Sequence, residues 1–279
     1  MILLKYEWQK LVSYRIVWGF LALCLAFNGL LLYNERWSAA EFNNNFYTEP
    51  IIQATNQFLY NCFFKALLLE GLLLAVLVVL CLLEHEKSNH TDVIWAATRT
   101  GRSLWGVKAI AGTCLATEFY LLLVLLSFAA YFAVWDWQNV WTGNLASHSN
   151  IVFEPVLSWQ HLLVVIVLGA GLIVIYSLLT ALCGICFGNI YAAILLLLAA
   201  NLAGWTLWSY CFSHKLWTGF AIASFLPVSL LSQPLAWFDN NSTIFIIPWQ
   251  ETYVVCSWLI ISGLGCAWAL WRFSRKDFH

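Results

Sequence analysis

Six stretches of this chain are long and apolar enough to cross a bilayer, and nothing else in it constrains the fold as strongly. A spanning helix needs about 20 mostly apolar residues. The windows fall at about 16–34, 63–83, 107–134, 159–182, 190–210 and 251–271. Within hydrocarbon every backbone N–H and C=O must find an internal partner, and runs of this length satisfy that as helices. The expected fold is therefore an all-α integral membrane protein with six transmembrane helices, forming one domain over 1–279. Composition agrees, with 62% hydrophobic and 10% charged residues, where a soluble domain carries about 25% charged. The clustering of those charges argues against nucleic-acid binding.

The third window is long enough to tilt or to extend past the bilayer. The fourth and fifth are separated by CGICFGN, 183–189, which reads as a tight turn using Gly184 and Gly188. A further apolar stretch, 215–249, is interrupted by Pro227, Pro234 and Pro248. Over 211–250 we expect broken, re-entrant-like helices on the extracellular side rather than a clean span. The first window is too long for a signal-peptide core and reads as a retained span.

Lys and Arg placement sets the orientation. With six spans and both termini cytoplasmic, the inner side holds Lys5, Lys10, Arg15, Lys87, Arg99, Arg102, Lys108, Arg272, Arg275 and Lys276. The outer side holds only Arg36, Lys65 and Lys215. A seventh span would move the last three inner charges outside and erase the asymmetry. Tryptophans then fall into two belts, with Trp37, Trp135, Trp137, Trp141, Trp159, Trp217, Trp237 and Trp249 outside and Trp8, Trp18, Trp95, Trp105, Trp268 and Trp271 inside.

Most of the nine cysteines lie within apolar runs and read as small hydrophobes. A Cys62–Cys211 disulfide is the alternative for that pair. Cys183 and Cys186 have metal-like spacing, but no second pair or nearby histidine accompanies them, so they read as structural. No metal site is expected.

Between the second and third windows lies EHEKSNHTDVIWAATRTGRSLWGVK, residues 84–108. It holds four of the chain's 13 basic residues and three of its 14 acids. Ser88, Asn89 and Thr91 offer N-cap oxygens, and Asp92 suits a first helical turn. Val93, Ile94 and Ala97 mark one face of a short helix that Gly101 would end. Such a helix is either a connector pinned to the headgroups or a docking surface. At the N-terminus, Leu4, Trp8 and Leu11 recur on one face while Lys5 and Lys10 fall off it, so 1–15 reads as an interfacial amphipathic helix.

This order of elements resembles the permease subunit of six-span type-two ABC exporters. It comprises a basic amphipathic N-terminal helix, two spans around a polar loop, Glu84-x-Glu86, Thr91–Asp92, Arg99-x-x-Arg102, Lys108 at the third span, and SFLPVSLLSQPLAWF before the last span. His90 stands before Thr91, where many relatives carry a small residue. The resemblance implies that 84–106 is a cytoplasmic coupling loop, seated in an ATPase groove together with the N-terminal helix. Its coupling residues would be Glu84, Glu86, Thr91, Asp92, Arg99, Arg102 and Lys108, with Lys5, Trp8 and Lys10 on the interfacial helix. It also implies two separate ATP-binding subunits holding ATP and Mg, a second permease chain and a bacterial plasma membrane. The sequence has no Gly-Lys dipeptide, hence no phosphate-binding loop of its own and no cofactor is expected on this chain.

Ionisable groups at membrane depth are functional candidates. Glu118 lies well inside the third window and Glu70 inside the second, both candidates for a translocation path. The alternative is an interhelical hydrogen bond or, for Glu70, a headgroup-level pair with Lys65. A weakly charged, Trp-rich interior suits a hydrophobic or amphipathic cargo, such as an antimicrobial peptide or a lipid-like molecule. The rival classes are an intramembrane enzyme and a non-transporting scaffold or signalling subunit. The enzyme reading lacks support: neither G-x-S-x-G nor E-E-x-x-x-R occurs, so a non-catalytic subunit is expected.

Overall fold

The computed structural model describes residues 9, 14–43, 62–88, 99–134, 158–187, 190–231 and 249–274; at some helix ends it describes the backbone alone. The elements are α1 (Arg15–Asn43), α2 (Phe64–Ser88), α3 (Arg99–Val134), α4 (Ser158–Phe187), α5 (Ile190–Ser213), α6 (Trp217–Ser224), a 3-10 segment (Pro227–Leu231) and α7 (Gln250–Ser274). No strand occurs among the described residues. Six of the helices carry membrane-length apolar windows, at Arg15–Glu35, Phe64–Leu83, Trp105–Ala133, Leu162–Phe187, Tyr191–Ser213 and Gln250–Arg272. Each lies within a few residues of the window read from the sequence. The chain is a multi-pass membrane protein.

α2, α3 and α4 make the centre, and α1, α5 and α7 flank it. The apolar window of α2 is 67% buried, that of α5 only 17%. Leu195, Leu198 and Leu202 on α5 are exposed, and lipid would be as apolar as they are. With no hydrophobic drive between helices in lipid, small residues and polar contacts draw them together. Gly112 of α3 brings the backbone of α2 close, since a Cβ there would lie 3.7 Å from Val79 Cα.

Three sequence expectations change. Gly184 and Gly101 lie inside α4 and α3, so neither ends a helix. The α4–α5 turn is confined to 188–189, between Phe187 and Ile190, rather than filling 183–189. Gly184 is a packing residue: a Cβ there would stand 2.7 Å from Leu83 Cδ1 of α2. Finally, α1 continues to Asn43, past the apolar window that ends at Glu35.

The broken region before the last span is helical in two short pieces up to Leu231, as the prolines foretold. α5 ends with Lys215 in the left-handed region (φ 54), while Leu216 N–H reaches back to the Cys211 carbonyl at 2.9 Å. A helix closure of this kind usually falls to glycine. The interrupted backbone is satisfied by side chains. Ser229 Oγ donates to the Ser224 carbonyl at 2.8 Å, and Trp258 Nε1 of α7 donates to the Phe225 carbonyl at 2.8 Å. Gln250 Nε2 donates to Ser224 Oγ at 2.8 Å, so the start of α7 is anchored to the end of α6. Residues 232–248, with Pro234 and Pro248, lie outside the described residues.

Candidate functional site

Among the polar residues inside the apolar windows, the structure brings together Asn28, Glu70 and Ser127. They come from α1, α2 and α3, and each is at most 8% exposed. Asn28 Nδ2 donates to Glu70 Oε2 at 2.7 Å and to Ser127 Oγ at 3.3 Å. The three share one level of the bundle: Glu70 lies about 9 Å along the helix from Phe64, by the 1.5 Å rise per residue, and Ser127 is equally far from Ala133. Antiparallel neighbours bring those positions side by side.

Aromatic rings close the cluster toward that end of the bundle. Phe63 packs edge-on to Phe128 at 5.8 Å and against Tyr131 at 5.5 Å, and all three are buried. On the other side Tyr120 fills the centre at 0% exposure. It is held between two glycines: a Cβ on Gly71 would meet Tyr120 Cδ2 at 2.5 Å, and one on Gly169 would meet the Tyr120 hydroxyl at 2.3 Å. That hydroxyl has no hydrogen-bond partner among the described residues. Tyr120→Phe is therefore expected to leave stability unchanged or to raise it by up to about 1 kcal/mol, since removing an unsatisfied buried group relieves its desolvation cost. Thermal unfolding in detergent would show this as an unchanged or higher midpoint.

Of the two expectations for Glu70, the structure shows the interhelical hydrogen bond. Lys65 points elsewhere, its Nζ 5.5 Å from the centre of the Trp205 ring on α5. Glu118 is exposed midway along the α3 window, on the same face as exposed Cys114, Leu121 and Leu125. Glu70 is buried where α1, α2 and α3 meet, so the two acids considered for a translocation path sit in different environments.

The charged link divides between described and undescribed residues. Glu84 and Glu86 lie on the last turns of α2, and Arg99 and Arg102 on the first turns of α3, all four described by backbone only. Thr91 and Asp92 lie outside the described residues, as do Lys5, Trp8 and Lys10. Lys108 is 2% exposed, with Nζ 5.9 Å from the centre of the Trp105 ring. It lies on the buried side of α3, beside Ala109.

Cys62 and Cys211 are both free thiols, the first exposed and the second buried, so the alternative of a disulfide between them is set aside. Cys183 and Cys186 are free as well. Among the described residues no group of three or more His, Cys, Asp or Glu side chains could hold a metal.

Ser127 and Tyr120 were not singled out from the sequence. Both lie on the buried stripe of α3 that also carries Leu123, Val124, Phe128 and Tyr131, at helical spacing. A serine in such a stripe signals an interhelical partner. A second polar join links Tyr176 of α4 to Asn201 of α5 through a hydroxyl-to-carbonyl hydrogen bond. Compared with family models, curated proteins and solved structures, the chain matches none.

Proposed function

We propose that the chain is the membrane-spanning subunit of an ATP-driven exporter of the type-two ABC class, working in the plasma membrane of a bacterium. It pairs with a second permease chain and with two ATP-binding subunits that hold ATP and Mg. Its termini and the 84–106 loop face the cytoplasm, and 211–250 faces outside. The cargo is hydrophobic or amphipathic.

One observation carries this reading furthest. α2 runs on to Ser88, beyond its apolar window at Leu83, and α3 begins at Arg99, before its window at Trp105. The two ends of the charged link, 84–88 and 99–104, thus continue the apolar helices α2 and α3, which approach closely at Gly112. A push on the link would be conveyed along stiff helices to the bundle centre, as a coupling element requires. Ten basic residues against three favour a cytoplasmic link.

Two measurements test this. A membrane-impermeant thiol label applied to intact cells should react with exposed Cys62 and gain nothing from Ser88→Cys; labelling at 88 would overturn the topology. The protein purified from its native membrane in mild detergent should carry an ATPase. Arg99→Glu with Arg102→Glu should weaken that association at least about tenfold, since like-charge juxtaposition at an interface costs several kcal/mol. Purification without any ATPase would overturn the exporter reading.

A further inference from the structure

The join of α1, α2 and α3 contains a carboxyl that no cation neutralises: Glu70 forms no ion pair among the described residues, and its partner is a neutral amide. The opposite atom of that amide, Asn28 Oδ1, is buried and has no hydrogen-bond partner among the described residues. The geometry points to an intramembrane proton site made by Asn28 and Glu70, with two hydrogen-bonded states exchanged by rotation of the Asn28 amide.

In the state observed, Nδ2 donates to a carboxylate oxygen at 2.7 Å. Half a turn of the amide exchanges nitrogen for oxygen in nearly the same volume. Oδ1 would then face Oε2 at about the separation that an O–H···O bond prefers. Two oxygens at that distance need one proton between them, and Asn28 has none to give through oxygen. The proton comes from hydronium in the surrounding solution, leaving water, and adds to a lone pair of Oε2. The carboxylate becomes a neutral carboxyl, the N–H···O bond is exchanged for O–H···O, and no other bond forms or breaks. Ser127 Oγ, 3.3 Å from the amide nitrogen, can accept in the first state and donate in the second.

Among the described residues no cation stands against Glu70. On α1, Cys24 lies near Glu70 and Glu35 lies near Tyr131. α3 presents Tyr131 on one side and Tyr120 on the other, the latter against Gly71. On α2 itself Lys65 is directed to Trp205. Tyr176 of α4 is engaged with Asn201. The consequence is mechanical: a charge-assisted hydrogen bond is roughly twice as strong as a neutral one, so proton uptake loosens α1 from α2. The inference does not depend on a nucleotide-driven partner.

The test is infrared difference spectroscopy of the purified chain in lipid nanodiscs during a pH titration. The expected result is a protonated-carboxyl carbonyl band that grows as pH falls, together with a shift of the asparagine amide carbonyl in the same step. Both should vanish in Glu70→Gln and persist in Glu118→Gln. Asn28→Leu keeps the carboxyl and should shift its band while abolishing the amide signal, which preserves the test if Glu70→Gln fails to accumulate. A titrating carboxyl band that survives Glu70→Gln unchanged, or one that Glu118→Gln removes, would overturn the proposal.

Discussion

Gly169→Ala is expected to destabilise the bundle by about 1–3 kcal/mol, the usual range for overpacking a filled core. The added methyl would lie 2.3 Å from the Tyr120 hydroxyl and 2.9 Å from Leu68 Cδ2. Neither neighbour has room to retreat, because Tyr120 and Leu68 are both 0% exposed. Alanine is also the better helix former, by about 1 kcal/mol, so the net loss measures the clash after that gain. Gly71→Ala should do the same, with its methyl 2.5 Å from Tyr120 Cδ2. The two differ in how they can be rescued. Adding Tyr120→Phe removes the atom that Gly169→Ala strikes and should restore much of its stability. It should restore none for Gly71→Ala, whose methyl meets the ring itself. Gly29→Ala, with nothing within 4 Å of the new atom, should be neutral or mildly stabilising. Reversible unfolding in mixed micelles would read all five variants. Equal losses at Gly29 and Gly169 would show that the close approach at Tyr120 carries no special cost.

Asn28→Leu should cost about 1.5–3 kcal/mol, the range for removing a hydrogen bond to a charged group. It strips Glu70 of its donor and leaves Ser127 without the amide. The informative comparison is the double variant Asn28→Leu with Glu70→Leu. Replacing both partners by apolar side chains removes the desolvation cost along with the bond. The double variant should therefore be more stable than Asn28→Leu alone, and in lipid, where polar helix joins average about 0.6 kcal/mol, close to the parent chain. A double variant no better than the single would mean that the cluster stabilises through packing alone. Activity provides a second axis: if the join moves during the working cycle, the double variant will be stable and slow.

Much of the architecture was legible because the bilayer imposes its own ruler. Apolar length alone located six helices, and the basic residues beside them argued for one orientation. The prolines at 227, 234 and 248 marked the broken region, whose described part is a short helix and a 3-10 segment. Glu70 was legible as a candidate because a carboxyl in an apolar run is costly wherever it points. Its partner was not. Only Lys65 was named beside it from the sequence, and the choice among Lys65, Asn28 and Ser127 depends on how α1 and α3 rotate about their axes.

That rotation is a property of packing. Apolarity all round a helix tells lipid from protein poorly, because hydrocarbon receives Leu as readily as a neighbouring helix does. The glycines show the same limit. Gly101 and Gly184 read as helix ends, yet one continues a helix and the other admits Leu83. Membrane crossing could be read from residues one at a time, since transfer into hydrocarbon is a sum over side chains. Which faces meet, which carboxyl is sheltered and which lies open on α3 emerged only from the fitted shapes of six helices at once, because contact is a property of pairs.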